Sequence, residues 1–408
     1  MKTLNFQPVR FITLGLIAGF VAVSCEDDKK ETTPGLSSEA IISGEITNNR
    51  LLSNDTTYFL TGGVHVKSGA VLTIDPGTVI KSNPAEASVA YLLIERGGKL
   101  MADGTVSQPI VFTSGEDAPS RGDWGGIIIC GKSPINKGLE ATSEVGDALY
   151  GGTIANDDSG ILRYLRVEYT GNAISDTKEH NGFSFNGVGS GTIVDHVEAY
   201  MGNDDGFEFF GGTVNAKHLI SYGSKDDSFD WTYGWSGKGQ YWLAIQADDK
   251  GDRGIEADNN GDNNEAAPYS NPVLSNITLI GADDAEDEDN TGMRLREGTK
   301  GEIYNAIVTG FPKTGVRVSE EVTTANMVAG ELFVKHSVVF GNTTNFQDCS
   351  DFESDTTNET SSVSLTNGVG TVVGGFDVSS LDNWFDATDY KGAVQESANW
   401  TTGWSIGL

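Results

Sequence analysis

Three short segments of this 408-residue chain carry acids at matching places: Asp204-Asp205-Gly206-Phe207-Glu208, Asp226-Asp227-Ser228-Phe229-Asp230 and Asp252-Arg253-Gly254-Ile255-Glu256. The first pair of segments is offset by 22 residues and the second by 26. A near-constant offset of this kind becomes a column in space once the chain coils, so Asp204, Asp205, Glu208, Asp226, Asp227, Asp230, Asp252 and Glu256 are expected to meet on three adjacent turns. Two like charges about 4.8 Å apart repel by about 3.5 kcal/mol at an effective dielectric near 20. Such a cluster needs protons, the neighbouring Arg253 and Arg294, or a bound hard cation, and Ca2+ suits an array of flexible carboxylate oxygens. Aspartate as a duplicated turn residue is the competing explanation for Asp204, Asp226 and Asp252. It serves less well for Glu208, Asp230 and Glu256, because strands disfavour stacked acids.

The same column offers a catalytic reading through Glu208, Asp230, Glu256 and Arg294. Glu208 and Asp230, one rung apart, stand about 5 Å from each other, and Glu208 and Glu256 nearly 10 Å, nearer the inverting arrangement of glycoside hydrolases. A lyase would instead place calcium on the acids and use Arg294 or Arg317 as the base. Aromatic residues follow the second acidic segment, in Asp230-Trp231-Thr232-Tyr233-Gly234-Trp235 and in Tyr241-Trp242. Trp231 is expected in the core, while Tyr233, Trp235 and Trp242 are expected to flank the carboxylates as a sugar-binding platform or to cover the sheet edge. Arg294 and Arg317 complete the expected ligand-binding set. Asp287, Asp289 and Thr291 have alternating calcium-loop spacing, but no glutamate closes the motif, so a solvated acidic loop is the expectation there. His196, His218 and His336 are expected to be stacked turn residues rather than ligands.

These side chains need a scaffold that repeats every 22 residues or slightly more. His196-Val197-Glu198-Ala199-Tyr200 returns as His218-Leu219-Ile220-Ser221-Tyr222, and in each unit the next strand opens ten residues after the histidine. Alternating strands between Gly, Asn, Asp and Ser turns, without helical periodicity, suit one turn of a parallel β-solenoid per repeat. Aligning the units gives two inward columns: Leu165, Val197, Leu219, Ile245, Ile277, Ala306, and Phe183, Phe207, Phe229, Ile255, Met293, Val316. The outward column beside the second reads Ser184, Glu208, Asp230, Glu256, Arg294, Arg317. Turn columns run His180, Asp204, Asp226, Asp252, Asn290, Lys313 and Asn181, Asp205, Asp227, Arg253, Thr291, Thr314. The chain has 52 glycines for corners and only 10 prolines, as interior strands require.

A net charge of −31 excludes nucleic acid and anionic membrane surfaces as partners, since both need a basic face. Residues 1–24 read as a signal peptide, with Lys2 and Arg10 ahead of an apolar run too short to span a bilayer. The ending Ala22-Val23-Ser24-Cys25 resembles the lipobox of bacterial lipoproteins, which implies lipidation of Cys25. The following Glu26-Asp27-Asp28-Lys29-Lys30 is similar to the surface-export signal of the Bacteroidota, and residues 25–41 read as a flexible tether. Cys130 and Cys349 are left to pair or stay free, and Cys130, in an apolar run, reads as a buried thiol.

Residues 42–408 are assigned to one all-β domain. Val64-His65-Val66-Lys67-Ser68-Gly69, Leu92-Leu93-Ile94-Glu95-Arg96-Gly97, Asp123-Trp124-Gly125-Gly126-Ile127 and the ending Asn399-Trp400-Thr401-Thr402-Gly403-Trp404 resemble the right-handed parallel β-helix lipoproteins of the Bacteroidota. That resemblance implies fold and an outer-membrane, surface-exposed location, and is nearly silent on activity. Three functions remain open: a lipid-anchored surface module binding a glycan or other ligand, a calcium-dependent polysaccharide lyase or glycoside hydrolase like the pectinase β-helices, or a structural accessory of an outer-membrane receptor.

Overall fold

The computed structural model describes residues 40–175, 178–282 and 289–408. Cys25, the signal segment, all but the end of the tether, and Asp287 lie outside the described residues. From the first strand, Ile41–Ile46, onward the chain is a parallel β-helix, with 24 strands joined in one sheet among the described residues. Helices are few: Glu321–Val328, Ser350–Glu353 and a 3-10 turn at Val378–Ser380. None is long and apolar enough to cross a membrane.

Each rung presents a short strand carrying the outward column, then a longer strand folded at its middle. The short strands Phe183–Val188, Phe207–Gly212, Phe229–Thr232, Arg253–Ala257, Thr291–Leu295 and Thr314–Val318 pair in parallel, in the register Phe183, Phe207, Phe229, Ile255, Met293, Val316. Phe183 and Phe207 stack at 5.2 Å and Phe207 and Phe229 at 5.6 Å, all shut off from solvent. A buried ring of this size stabilises the fold by about 1.5–3 kcal/mol through the hydrophobic effect. Because side chains alternate along a strand, burying this column forces Glu208, Asp230 and Glu256 to the opposite face.

The long strands bend at one residue of positive φ, which forms a corner: Tyr164, His196, His218, Tyr241, Asn276 and Asn305. Two of the six are asparagine, one of the residues that tolerates this conformation best. One inward column departs from the sequence reading. Leu219 pairs with Trp242, which pairs with Ile277, whereas Ile245 continues the line from Tyr222 to Ile280. The ten-residue spacing is lengthened to thirteen between Tyr241 and Gly254 by a tight turn closed at Ala247 and Lys250, so Trp242 takes the core place expected of Ile245.

After the last rung the chain returns as a strap along the corners. Gly392 N donates to Asn305 O at 2.8 Å, Ala393 N to Thr278 Oγ1 at 2.8 Å, and Ile406 N to the buried Glu198 carboxylate at 3.2 Å. Cys130 and Cys349 are separate buried thiols, each pushed up to about 12 by burial.

Candidate functional site

The outward column assembles as the repeat dictates. Ser184 pairs with Glu208, Glu208 with Asp230, Asp230 with Glu256, Glu256 with Arg294, and Arg294 with Arg317. Beside it the turn acids form a second ladder: Asp227 N donates to Asp205 Oδ1 at 3.0 Å, and Arg253 N to Asp227 Oδ1 at 2.8 Å. These bonds explain part of the aspartate pattern, since each acid caps a backbone donor of the next rung. They leave the remaining carboxylate oxygens to face one another.

A depression of about 280 Å3 lies over these rungs, lined by Glu144, Glu179, Asp204, Asp205, Glu208, Asp226, Asp227, Asp230, Arg253 and Glu256. Asp205, Glu208 and Asp230 can bring one oxygen each within 4.8 Å of one another, as can Asp205, Asp226 and Asp227, and Glu179, Asp204 and Asp226. Opposed oxygens around Ca2+, at about 2.4 Å each, stand about 4.8 Å apart, so the crowding has the size of an ion's coordination shell. Asp230 Oδ1 is enclosed without a hydrogen-bond partner. Asn181 Nδ2 donates to Glu208.

Electrostatics follow from this crowding. Burial, then the charge of Asp226, pushes Asp204 up to about 9. Burial first and neighbouring acids second also raise Asp205, Glu208, Asp227 and Asp230 well above the carboxylate range. Arg253 compensates at one end, 2.5 Å from Asp252, 3.2 Å from Glu256 and 3.4 Å from Asp227. Burial works against the Arg253 charge, yet Asp227, Glu256 and Asp252 raise its value. Asp252 thus belongs to the arginine side of the cluster and does not line the depression.

Beyond Glu256 the sign reverses. Arg296 pairs with Glu256 at 2.7 Å and Asp258 at 2.9 Å. Arg294 and Arg317 both reach Asp289, and Arg253 joins them at 3.1 Å. Burial, then Arg317, lowers the Arg294 value. Asp289, expected in a solvated loop, is therefore the shared carboxylate of three arginines.

Two expected ligand residues are corrected. Trp235 and Trp242 are wholly buried; Trp235 stacks on Phe209 at 4.4 Å and its Nε1 donates to Val214 O, while Trp242 Nε1 donates to Ala216 O. The indoles fill the wide interior of the coil and form no platform beside the acids. Tyr233 is half-buried against Phe210, takes a hydrogen bond from Lys137 at 2.8 Å and does not line the depression. Residues 131–152 make that wall, covering the outward apolar positions Leu93, Ile128 and Phe210. The wall contributes Glu144 and the hairpin of Ala173–Ser175 and Lys178–Glu179 contributes Glu179; both were missed in the sequence. Glu179 directly precedes His180 of the turn column and was findable there, whereas Glu144 sits in an insertion outside the repeat.

The family model for a pectate-lyase-like beta helix domain matches residues 44–405. Comparison with curated proteins and with solved structures finds no match. The match spans nearly every rung described above, and the chain belongs to the pectate-lyase-like β-helix domain family.

Proposed function

We propose that the protein is a lipid-anchored surface binding module whose acidic depression takes up a divalent cation, Ca2+, and offers it to a glycan or outer-membrane partner. The observation that carries this reading is the meeting of Asp205, Glu208 and Asp230 within one ion's coordination distance, with the guanidinium that lines the same depression, Arg253, engaged by Asp252, Glu256 and Asp227. Arg294 and Arg317 on the next rungs would receive an anionic group of the same ligand. The lipid anchor rests on the Cys25 motif. With Trp235 and Trp242 in the core, binding relies on charge and metal rather than on aromatic stacking.

The test is retention of the purified chain, without residues 1–25, on a panel of neutral and acidic polysaccharides in CaCl2 and in EDTA. Calcium-dependent retention on acidic members, lost in Arg294→Ala with Arg317→Ala, is expected. Equal retention in both buffers would overturn it.

A second reading, a polysaccharide lyase, is favoured by one observation: Arg294 pairs in register with Glu256, which sets a guanidinium next in line to the acid column. There it would remove the proton next to a metal-bound carboxylate as the glycosidic oxygen departs. Release of unsaturated products in the same panel would establish that activity, and their absence with binding retained leaves the module.

A further inference from the structure

A second set of ligand-type side chains lies away from the groove, at the corner of two adjacent rungs. His196 Nδ1 is 2.9 Å from Asp195 Oδ1, and His218 Nδ1 is 2.7 Å from the same oxygen. The two imidazoles stack at 4.1 Å, and His196 Nδ1 is buried without a hydrogen-bond partner. All three ligand atoms lie within 4.8 Å of one another. Asp195 keeps 31% side-chain exposure and the histidines 13% and 16%, so the cluster is open on one side.

The fold alone does not require these residues. The corner needs positive φ, and asparagine meets that need at Asn276 and Asn305 two and three rungs later, tied to the strap through Tyr390 O and Phe376 O. On the nearest rungs the position before the corner holds Arg163, Lys217 and Gln240, which leaves Asp195 as the acid at the place where two histidines adjoin. Two imidazole nitrogens and one carboxylate are a borderline donor set, suited to Zn2+ or Cu2+ rather than to Ca2+.

We propose that Asp195, His196 and His218 form a binding site for a borderline divalent metal ion, separate from the acidic groove. His218 donates its Nδ1 proton to Asp195, whereas His196 Nδ1 has no hydrogen-bond partner; on metal binding the His218 proton moves to Nε2 and both Nδ1 atoms offer their lone pairs, so no net proton is required. Solvent completes the coordination on the open side. Trp400 stands edge-on to both rings, at 5.8 Å from His196 and 4.8 Å from His218, and Trp404 is 5.6 Å from His196. The strap therefore carries two fluorophores in contact with the ligands.

The experiment uses the chain from residue 26 onward, freed of metal with EDTA and then exchanged. Zn2+ is titrated by calorimetry, and Cu2+ by quenching of tryptophan emission. Saturable binding of one Zn2+ per chain is expected, with Cu2+ quenching part of the emission at the same stoichiometry. His196→Asn and His218→Asn, which preserve the corner, should each weaken Zn2+ binding at least tenfold, and Asp195→Asn, which leaves both rings in place, should do the same. Saturating CaCl2, which occupies the acidic groove, should leave it unchanged. Absence of saturable Zn2+ binding, binding that survives the histidine and aspartate changes, or loss of binding in saturating CaCl2 would each overturn the proposal.

Discussion

Without divalent cations the folded chain should become less stable as the pH rises from 7 to 8. Asp204 holds its proton in the folded state up to about 9, whereas an unfolded aspartate releases it near 3.9. Between those values the native state binds more protons than the unfolded one. Stability from this source is therefore fully present below the lower value and is lost as the pH climbs to the upper. Each retained proton costs about 1.4 kcal/mol per pH unit. Asp204 alone therefore gives a loss of about 1.4 kcal/mol across this interval, and Asp205, Glu208 and Asp230, a second crowded group whose values are raised in the same direction, steepen it. The range starts above the titration of unfolded histidines, which would act in the opposite sense.

Urea unfolding followed by tryptophan fluorescence at pH 7.0, 7.5 and 8.0 in EDTA measures this slope. Glu208→Gln with Asp230→Asn removes two of the crowded acids and should make the slope shallower. Saturating Ca2+, by fixing the ionised carboxylates, should flatten the wild-type slope. A wild-type stability that is level or rising over this range in EDTA would refute the reasoning, because ionised acids would then be coexisting in the depression at no cost.

Trp235→Ala should behave as a folding defect, lowering stability by about 3–5 kcal/mol in urea unfolding with no selective effect on ligand, since the indole is enclosed by Phe209, Trp231 and Trp242. Cys130 and Cys349, both buried and pushed up to about 12, should stay unreactive to a thiol reagent at pH 8 until denaturant is added. Prompt reaction of either thiol in the native chain lacking Cys25 would contradict that placement.

The site column was legible because one physical rule generates it. Burying Phe207, Phe229 and Ile255 on stacked rungs leaves Glu208, Asp230 and Glu256 nowhere to go but the other face, and the 22-residue offset supplies the stacking. The rule fails where the period changes. The added turn at Ala247 and Lys250 moved the corner to Tyr241, and with it Trp242 into the core column assigned to Ile245. Aromatic residues near acids looked like a platform in one dimension, but a coil wide enough to hold Phe209 also has room for Trp235 and Trp242. Glu144, Asp289 and the partnership of Asp195 with two histidines were not legible as contacts. The first two come from insertions, and the third joins a residue of one column to residues of another, a relation fixed by the bend at the corner rather than by the repeat.

The central claim, that the stacked acids bind a hard cation, is tested most directly by calorimetric titration of CaCl2 into EDTA-treated and desalted protein at constant ionic strength, in the wild type and in Glu208→Gln with Asp230→Asn. Saturable Ca2+ binding in the wild type that disappears in the double variant, whose fold is confirmed by its far-ultraviolet spectrum, is the predicted result. Wild-type protein that takes up no Ca2+, or a double variant that binds it equally well, would contradict the account.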